Sequence, residues 1–426
     1  MKDDNTQIVI VGNGVAGNSA AAAIRRVNRE VAITMISREP FPEYSACVLS
    51  KKYLSAEMNR EAVFLKHTGD YSKDKINTVF GQKVIGIDTK GKRVTLENDE
   101  VAYNKLILAM GGNPLVPPLP GVDKGGIFTL KSLADADMIF QHPGKKAVVI
   151  GAGAIGVEVS ISLRKRGWQV ELVELLDQVL PTIFDTEVSS IMKSKMEEYG
   201  IKVRTEEKAL SFKGNAHVSA VSTDKREIEC NMVIMSLGVR PNIGIAQQAG
   251  AEIGTLGGIR VDECMKTSLG DVYACGDCVE TKDKITGDNM LYLLWYNAKQ
   301  QGEIAGYNTV GIEKRFPGTI AISTVDVLGT FGVSIGHTMR SSRDAELKVI
   351  EGGSSWYHRL LIANDTLVGA QLVGRTTDIG PLVNVIRRGD KLGRLLSVLR
   401  DGSLLSKNPL SAKLHPYLFI ERKDSG

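Results

Sequence analysis

The chain carries one construction twice. Gln7–Val11 is a short apolar, β-branched run, Gly12-Asn-Gly14-Val-Ala-Gly17 follows at once, and NSAAAAIRR then reads as a helix. Lys146–Ile150 repeats the run, Gly151-Ala-Gly153-Ala-Ile-Gly156 repeats the loop, and VEVSISLRKRG repeats the helix. A G-x-G-x-x-G loop between a buried strand and a helix is built for a dinucleotide. The first glycine makes the tight turn, the second lets backbone approach a pyrophosphate, and the third lets helix pack on strand. The helix start adds free N–H groups and the positive end of a dipole. One such loop is weak evidence; two, each followed by a second strand, are a strong signal. After the first loop the second strand, VAITMIS, ends where either Ser37 or Glu39 can meet ribose hydroxyls. After the second loop, VELVE ends on Glu174. An acid there accepts from a free 2′-hydroxyl and repels a 2′-phosphate, so NADH is expected over NADPH.

Composition bounds the class. The 426 residues suffice for two to four domains with large cores, which excludes disordered, collagenous and disulfide-stapled classes. Aromatics are only 6%, too few to suggest a base-stacking surface, and a net charge of +4 does not imply a nucleic-acid partner. The excess charge is local: residues 318–426 hold 14 Lys+Arg against 10 Asp+Glu, and the rest of the chain is balanced. That quarter is either an ordinary solvated surface or a weakly basic docking face for an acidic protein. Five scattered cysteines (Cys47, Cys230, Cys264, Cys275, Cys278) do not form a secreted disulfide framework. MKDDNTQ lacks the basic start and apolar stretch of a signal peptide, and no run approaches the ~18 apolar residues of a membrane span. A cytoplasmic location is the expectation.

Further motifs fall in a fixed order between and after the loops. Tyr103-NKLILAMGGNP ends a strand in an Ala109-Met-Gly111 turn, MSLGVRPN spans residues 235–242, and Thr267-SLGDVYACGDCVE contains Gly276-Asp277. With the two glycine loops, this order resembles the pyridine nucleotide–disulfide oxidoreductase superfamily over about residues 7–310. Met110 stands where the family usually has Thr. The resemblance implies FAD on the first loop and NAD on the second. It also implies a flavin ribitol contact from Asp277, with the strand VYAC delivering Gly276-Asp277 to a helix start. The implied fold is α/β, with two Rossmann-like domains: a discontinuous FAD domain at 1–114 and 243–317, and an inserted NAD domain at 115–242. Residues 318–426 are expected to form a small α+β domain. There VLGTFGVSIG, AELKVIEG, WYHRLLIAN and TLVGAQLVG read as strands, and GPLVNVIRRG and KLGRLLSVLRDG as short helices. That domain resembles the C-terminal domain of nitrite-reductase-like members. The closing stretch from Ser403 is either an arm laid on a partner or a tail.

A few side chains decide where the flavin's electrons go. Disulfide reductases need C-x4-C near residue 47, and only Cys47 is present. Single-cysteine members carry one Cys about there followed by Gly, whereas Val48 is next here. A reactive thiolate needs a nearby cation, for which Lys51 is the candidate; otherwise Cys47 is a small packing residue. The same stretch, Tyr44…Leu49-Ser50-Lys51-x-Tyr53-Leu54, resembles the Y-x-R-P-P-L-S-K-x-Y-L motif of ferredoxin and rubredoxin reductases without its Arg-Pro-Pro. In those enzymes the Lys pairs with a Glu on the NAD-domain helix beside flavin N5, which the resemblance carries onto Lys51 and Glu158. Trp295, in LWYNAKQQG, matches that branch's W-x-N-A-x-x-Q-G helix start near the flavin. Cys275-Gly-Asp-Cys278 overlaps the Gly-Asp motif and reads as structural, with no metal site expected. No C-x2-C-x2-C cluster motif exists, so any iron–sulfur centre belongs to a partner. His415-Pro416 with Glu421 only faintly resembles the acid–base pair of disulfide reductases.

The expectation is therefore an FAD-dependent NAD(H) oxidoreductase, with hydride transfer at flavin N5 and an iron–sulfur protein or subunit as electron partner. Similar single-chain flavoproteins serve as NAD-reducing subunits of multi-subunit complexes, tungsten aldehyde oxidoreductase and phenylglyoxylate dehydrogenase among them. The alternative is a free-standing Cys47-dependent coenzyme A disulfide reductase or NADH oxidase.

Overall fold

A computed structural model describes residues 6–342, 346–350, 357–374 and 379–392. The expected helix at 391–402, the closing stretch and the His415/Glu421 pair lie largely or wholly outside those residues. The chain divides into two compact units: 1–49, 58–115 and 238–319 in the first, and 50–57, 116–237 and 320–426 in the second.

The first unit is built on a five-stranded parallel sheet. Its centre is β1 (Gln7–Val11), flanked by β2 (Ala32–Ser37) and by the strand Lys105–Leu108; Ile76–Phe80 and Val272–Ala274 form the edges. A parallel sheet is covered on both faces, so its central strands read as near-continuous apolar runs rather than alternating. In β1, Ile8 and Ile10 enter one core cluster, while Val9 and Val11 enter the other. Helix α1 (Val15–Val27) covers the first of these faces with Ala16, Ala20, Ala21 and Ile24. Its small residues serve a second purpose. Gly302 and Gly306, four apart on the helix Trp295–Thr309, lie against Ala16 and Ala20, and a Cβ on either glycine would overlap a carbonyl oxygen of α1. Residues four apart form one stripe of a helix, so the two helices meet backbone to backbone.

The second unit repeats the plan. The strands β3 (Lys146–Ile150) and β4 (Gln169–Val173) lie side by side, with Lys202–Arg204 beyond β4 and Met232–Met235 and Ile127–Thr129 beyond β3, all parallel. Helix α2 (Ala154–Lys165) follows the second glycine loop, with Gly156 to Leu163 buried.

The C-terminal part of this unit is a five-stranded antiparallel sheet followed by a helix, Ile379–Arg388. One sequence expectation changes here. VLGTFGVSIG is not one strand: Val327 pairs with Thr330 across a turn in which Leu328 (φ 54°) and Gly329 (φ 85°) are both left-handed. That two-residue turn suits the twist of a hairpin, and it creates a further strand, Ile322–Val327, that polar Ser323, Thr324 and Asp326 concealed. A buried polar cluster joins this sheet to the helix Thr186–Glu198. The Gln371 amide donates to Asp185 Oδ2 (2.7 Å) and accepts from the Asp185 backbone (3.0 Å), while Arg359 pairs with Asp185 (3.6 Å) and with Glu187.

The close helix crossing generates a stability prediction. Gly302→Ala forces α1 and its partner apart and should cost about 1–3 kcal/mol, read as a lowered midpoint of thermal unfolding. A wild-type midpoint would show that the crossing tolerates a methyl group.

Candidate active site

Both glycine loops have the geometry their sequence predicts. Gly12 adopts φ 119° and Gly151 φ 97°, conformations that side chains rarely take, and each lies against backbone, of Ala109 and Ser236 respectively. A Cβ on Gly17 would overlap the Gly12 carbonyl, and one on Gly156 would overlap that of Gly151. The middle glycines differ. Gly14 and Gly153 have ordinary extended backbone, and a Cβ there would meet no protein atom within 4 Å. Protein packing therefore does not demand glycine at those two places. Each is an open cradle at a helix start, where only glycine allows a ligand to approach the backbone, and this fits a pyrophosphate.

The residues expected to meet ribose hydroxyls lie at or just beyond the ends of their strands. Glu174 directly follows β4 and is buried; its carboxylate accepts from Ala152 N inside the loop (2.6 Å) and from Leu176 N (2.8 Å). At the end of β2, Ser37 is buried with its hydroxyl accepting from Glu39 N (3.2 Å), and the Glu39 carboxylate accepts from the Tyr44 hydroxyl (2.7 Å). The first loop is held by its own second residue. Asn13 donates to Phe41 O (3.0 Å) and accepts from the Tyr71 hydroxyl (2.7 Å), and Asn18 ties back to Asn13 and Gly14.

The later motifs also meet. Asn242 of the G-V-R-P-N stretch donates its backbone N–H to Gly111 O (2.9 Å) and its amide to Met110 O (2.9 Å), closing the Ala109-Met110-Gly111 turn. Gly276 takes φ 82° and Asp277 is half-buried. The expected helix start after Gly276-Asp277 is absent. The chain makes a turn and enters the strand Val279–Lys282, whose first two residues pair with Ile259–Arg260. The helix that supports the turn comes later in the chain: Gln301, on Trp295–Thr309, accepts from Gly276 N (2.8 Å). Trp295 begins that helix about half exposed, with the Lys299 ammonium 5.6 Å from its ring centroid.

Cys47 is exposed, on the short helical turn Ala46–Val48. Cys275 and Cys278 are fully buried and form no disulfide; burial holds the Cys275 thiol well above its usual range and pushes Cys278 up to about 11. Both stay protonated at neutral pH, as a structural C-x-x-C requires. Among the described residues no group of three or more His, Cys, Asp and Glu is placed to hold a metal ion. No helix among them is long and apolar enough to cross a membrane.

Lys51 and Glu158 come together. Lys51 lies on a π-helical turn, Leu49–Tyr53, and its Nζ is 3.1 Å from Glu158 Oε1. Lys51 is about half exposed, whereas Glu158 is buried in α2. Burial raises the carboxyl's pKa, offset by the Lys51 charge and by the Ser50 hydroxyl, which donates to Glu158 Oε2 (2.5 Å). Sequence reasoning singled out neither Ser50 nor Gln301, although both lie inside motifs that it identified.

With this geometry established, comparison places the chain. It belongs to the pyridine nucleotide-disulphide oxidoreductase family, whose model matches residues 6–302. An NADH oxidase of Methanocaldococcus jannaschii is 33% identical over 393 residues (86% of this chain, 87% of the relative). The rubredoxin-NAD(+) reductase of Pseudomonas putida is 30% identical over 316 residues (73% and 81%). The solved structure of an NAD-dependent persulfide reductase from A. fulgidus matches with TM-score 0.87 at 27% identity, covering 92% of this chain and 79% of that one. The protein is thus a flavoprotein oxidoreductase that uses FAD and NAD(P)H.

One group beside the first loop titrates near neutrality. Burial pushes Glu43 up to about 7 against the opposing pull of Lys66, 3.8 Å away. Its folded pKa exceeds the ordinary value near 4.5. Folding therefore favours the protonated form, and stability is lost as pH rises through about 7. Glu43→Gln should raise the unfolding midpoint at pH 8 and leave it nearly unchanged at pH 4. Equal shifts at both pH values would count against this.

Proposed function

We propose that this protein exchanges electrons between NAD(H) and an iron–sulfur protein or subunit. FAD supplies the chemistry that joins them, because it exchanges two electrons with a nicotinamide and single electrons with a metal centre. Gly12, Gly14 and Gly17, with the N–H groups of α1, hold its pyrophosphate, and Ser37 or Glu39 takes a ribose. Ala109, Gly111, Gly276, Asp277 and Trp295 serve its flavin half. Gly151, Gly153, Gly156 and Glu174 hold NAD, and the Glu174 charge selects against a 2′-phosphate.

The carrying observation is the Lys51–Glu158 pair at 3.1 Å. A cation at the reacting ring stabilises negative charge that develops on reduction, and a buried carboxylate keeps that cation in place. The surrounding segment resembles the motif of rubredoxin and ferredoxin reductases, and a rubredoxin reductase is among the relatives. The missing Arg-Pro-Pro, the third domain expected at 318–426 and the closing stretch favour a fixed subunit over a diffusing carrier, with net flow toward NAD+. A second reading is favoured by Cys47, exposed on its helical turn, and by a 29% identical relative in Pyrococcus furiosus named as a CoA-dependent NAD(P)H sulfur oxidoreductase. In that reading the Cys47 thiolate is the redox partner of the flavin.

An anaerobic dithionite titration followed by the flavin spectrum separates the two. The iron–sulfur reading expects about two electrons per FAD and no long-wavelength thiolate–flavin band. About four electrons, with that band midway, would make Cys47 the redox partner and overturn it. Lys51→Met should slow flavin reduction by NADH about tenfold or more. Glu174→Ser should lower the NADH-over-NADPH ratio of kcat/KM about tenfold; an unchanged ratio would remove Glu174 from the ribose site.

A further inference from the structure

Helix α2 holds the π-helical turn at two levels. Glu158 and Ser162 are four residues apart and so share one helix face. Glu158 takes the side chains: Lys51 Nζ at Oε1 (3.1 Å) and the Ser50 hydroxyl at Oε2 (2.5 Å). Ser162 takes the backbone: its hydroxyl lies within donor distance of both Ser50 O (2.6 Å) and Lys51 O (2.8 Å). Ser50, Glu158 and Ser162 are all buried, with exposures of 1%, 8% and 2%.

Local structure gives a reason for the second contact. A π-helical turn loosens the regular i→i−4 ladder, and such turns are common at functional sites. Here Ser55 N reaches Lys51 O only at 3.3 Å, so a donor from outside the turn completes that carbonyl's bonding. The first contact has a different purpose. A lysine has four rotatable bonds, and a half-exposed ammonium is not fixed by one ion pair. The partner carboxylate has to be immobile. A hydroxyl bonded to its second oxygen fixes the rotation of the group and favours its charged form.

We infer that Ser50 and Ser162 are positioning residues for the NAD(H) reaction, clasping the Lys51 turn so that the ammonium and the Glu158 carboxylate keep one geometry. The inference rests on Lys51 and Glu158 serving that reaction as proposed above. Among the described residues Lys51 is the charged group that acts on the carboxylate. Lys51 faces it from the turn, while Lys165 and Glu57, farther along, pair with each other at 2.7 Å. Removing the Ser50 hydroxyl leaves burial opposed by Lys51 alone. The carboxyl then ionises at higher pH, and the acid limb of the rate profile moves up.

The test uses the purified, FAD-loaded full chain, mixed anaerobically with NADH at concentrations up to saturation and over a range of pH while flavin bleaching is followed. Ser50→Ala should slow reduction about tenfold, leave half-saturation by NADH unchanged, and shift the acid limb to higher pH. Ser162→Ala should slow it without shifting the limb, because Ser162 touches backbone only. In a Glu158→Ala background Ser50→Ala should have no further effect, whereas a purely structural serine would cost the same in both backgrounds. A slow Lys51→Met beside a wild-type Ser50→Ala would overturn the positioning role alone. A wild-type rate in Lys51→Met would overturn both this inference and the reading beneath it.

Discussion

The fold depends on a contact that only glycine permits: backbone lying directly on backbone. At Gly17 and at Gly156 the helix after each nucleotide loop presses on the loop's first carbonyl, with no room for a methyl group. The same device recurs where Gly302 and Gly306 seat one helix on Ala16 and Ala20 of another. These approaches set how far each helix start stands from its sheet. They therefore set where the open edges at Gly14 and Gly153 lie. The cradle proposed for a diphosphate follows from close packing around it rather than from any side chain that reaches out.

Charge is placed on top of that frame with buried carboxylates. Glu174 and Glu158 are both nearly inaccessible, and each has partners on both oxygens. That arrangement meets the cost of burying a charge without a matching buried cation. It also makes both groups rigid, which suits the roles proposed for them, discriminating a hydroxyl from a phosphate and holding an ammonium. The buried cysteines show the converse. At Cys275 and Cys278 burial outweighs what would stabilise a thiolate, including the backbone hydrogen bonds that pull Cys278 down, and both thiols are held above their usual range.

Legibility in the sequence tracked interaction range. The nucleotide loops, their strands and the acid at Glu174 are local patterns, each confined to about 30 residues, and the structure has them where the spacing puts them. The Lys51–Glu158 pair is not local; it was reachable only through a resemblance that named both partners. Errors fell where a short segment has two plausible continuations. Gly276-Asp277 leads into a strand because Val279 and Glu280 find a parallel partner in Ile259–Arg260. The hairpin at Leu328-Gly329 was hidden because its turn contains one ordinary leucine forced left-handed by the pairing on either side.

The sequence by itself determined the class of molecule: two dinucleotide loops in a fixed order with their flanking motifs, hence the cofactors and the family. Glycine spacing and hydrophobic runs encode these, since both act between near neighbours. Tertiary structure alone decided which side chains work together. Ser50 and Ser162 lie 112 positions apart and carry no composition signal. They meet because residues 50–57 fold into the second unit rather than with their sequence neighbours in the first. Hydrogen bonds of 2.5 to 2.8 Å need the packed position of both partners, and no pattern of residue types specifies that before the chain has folded.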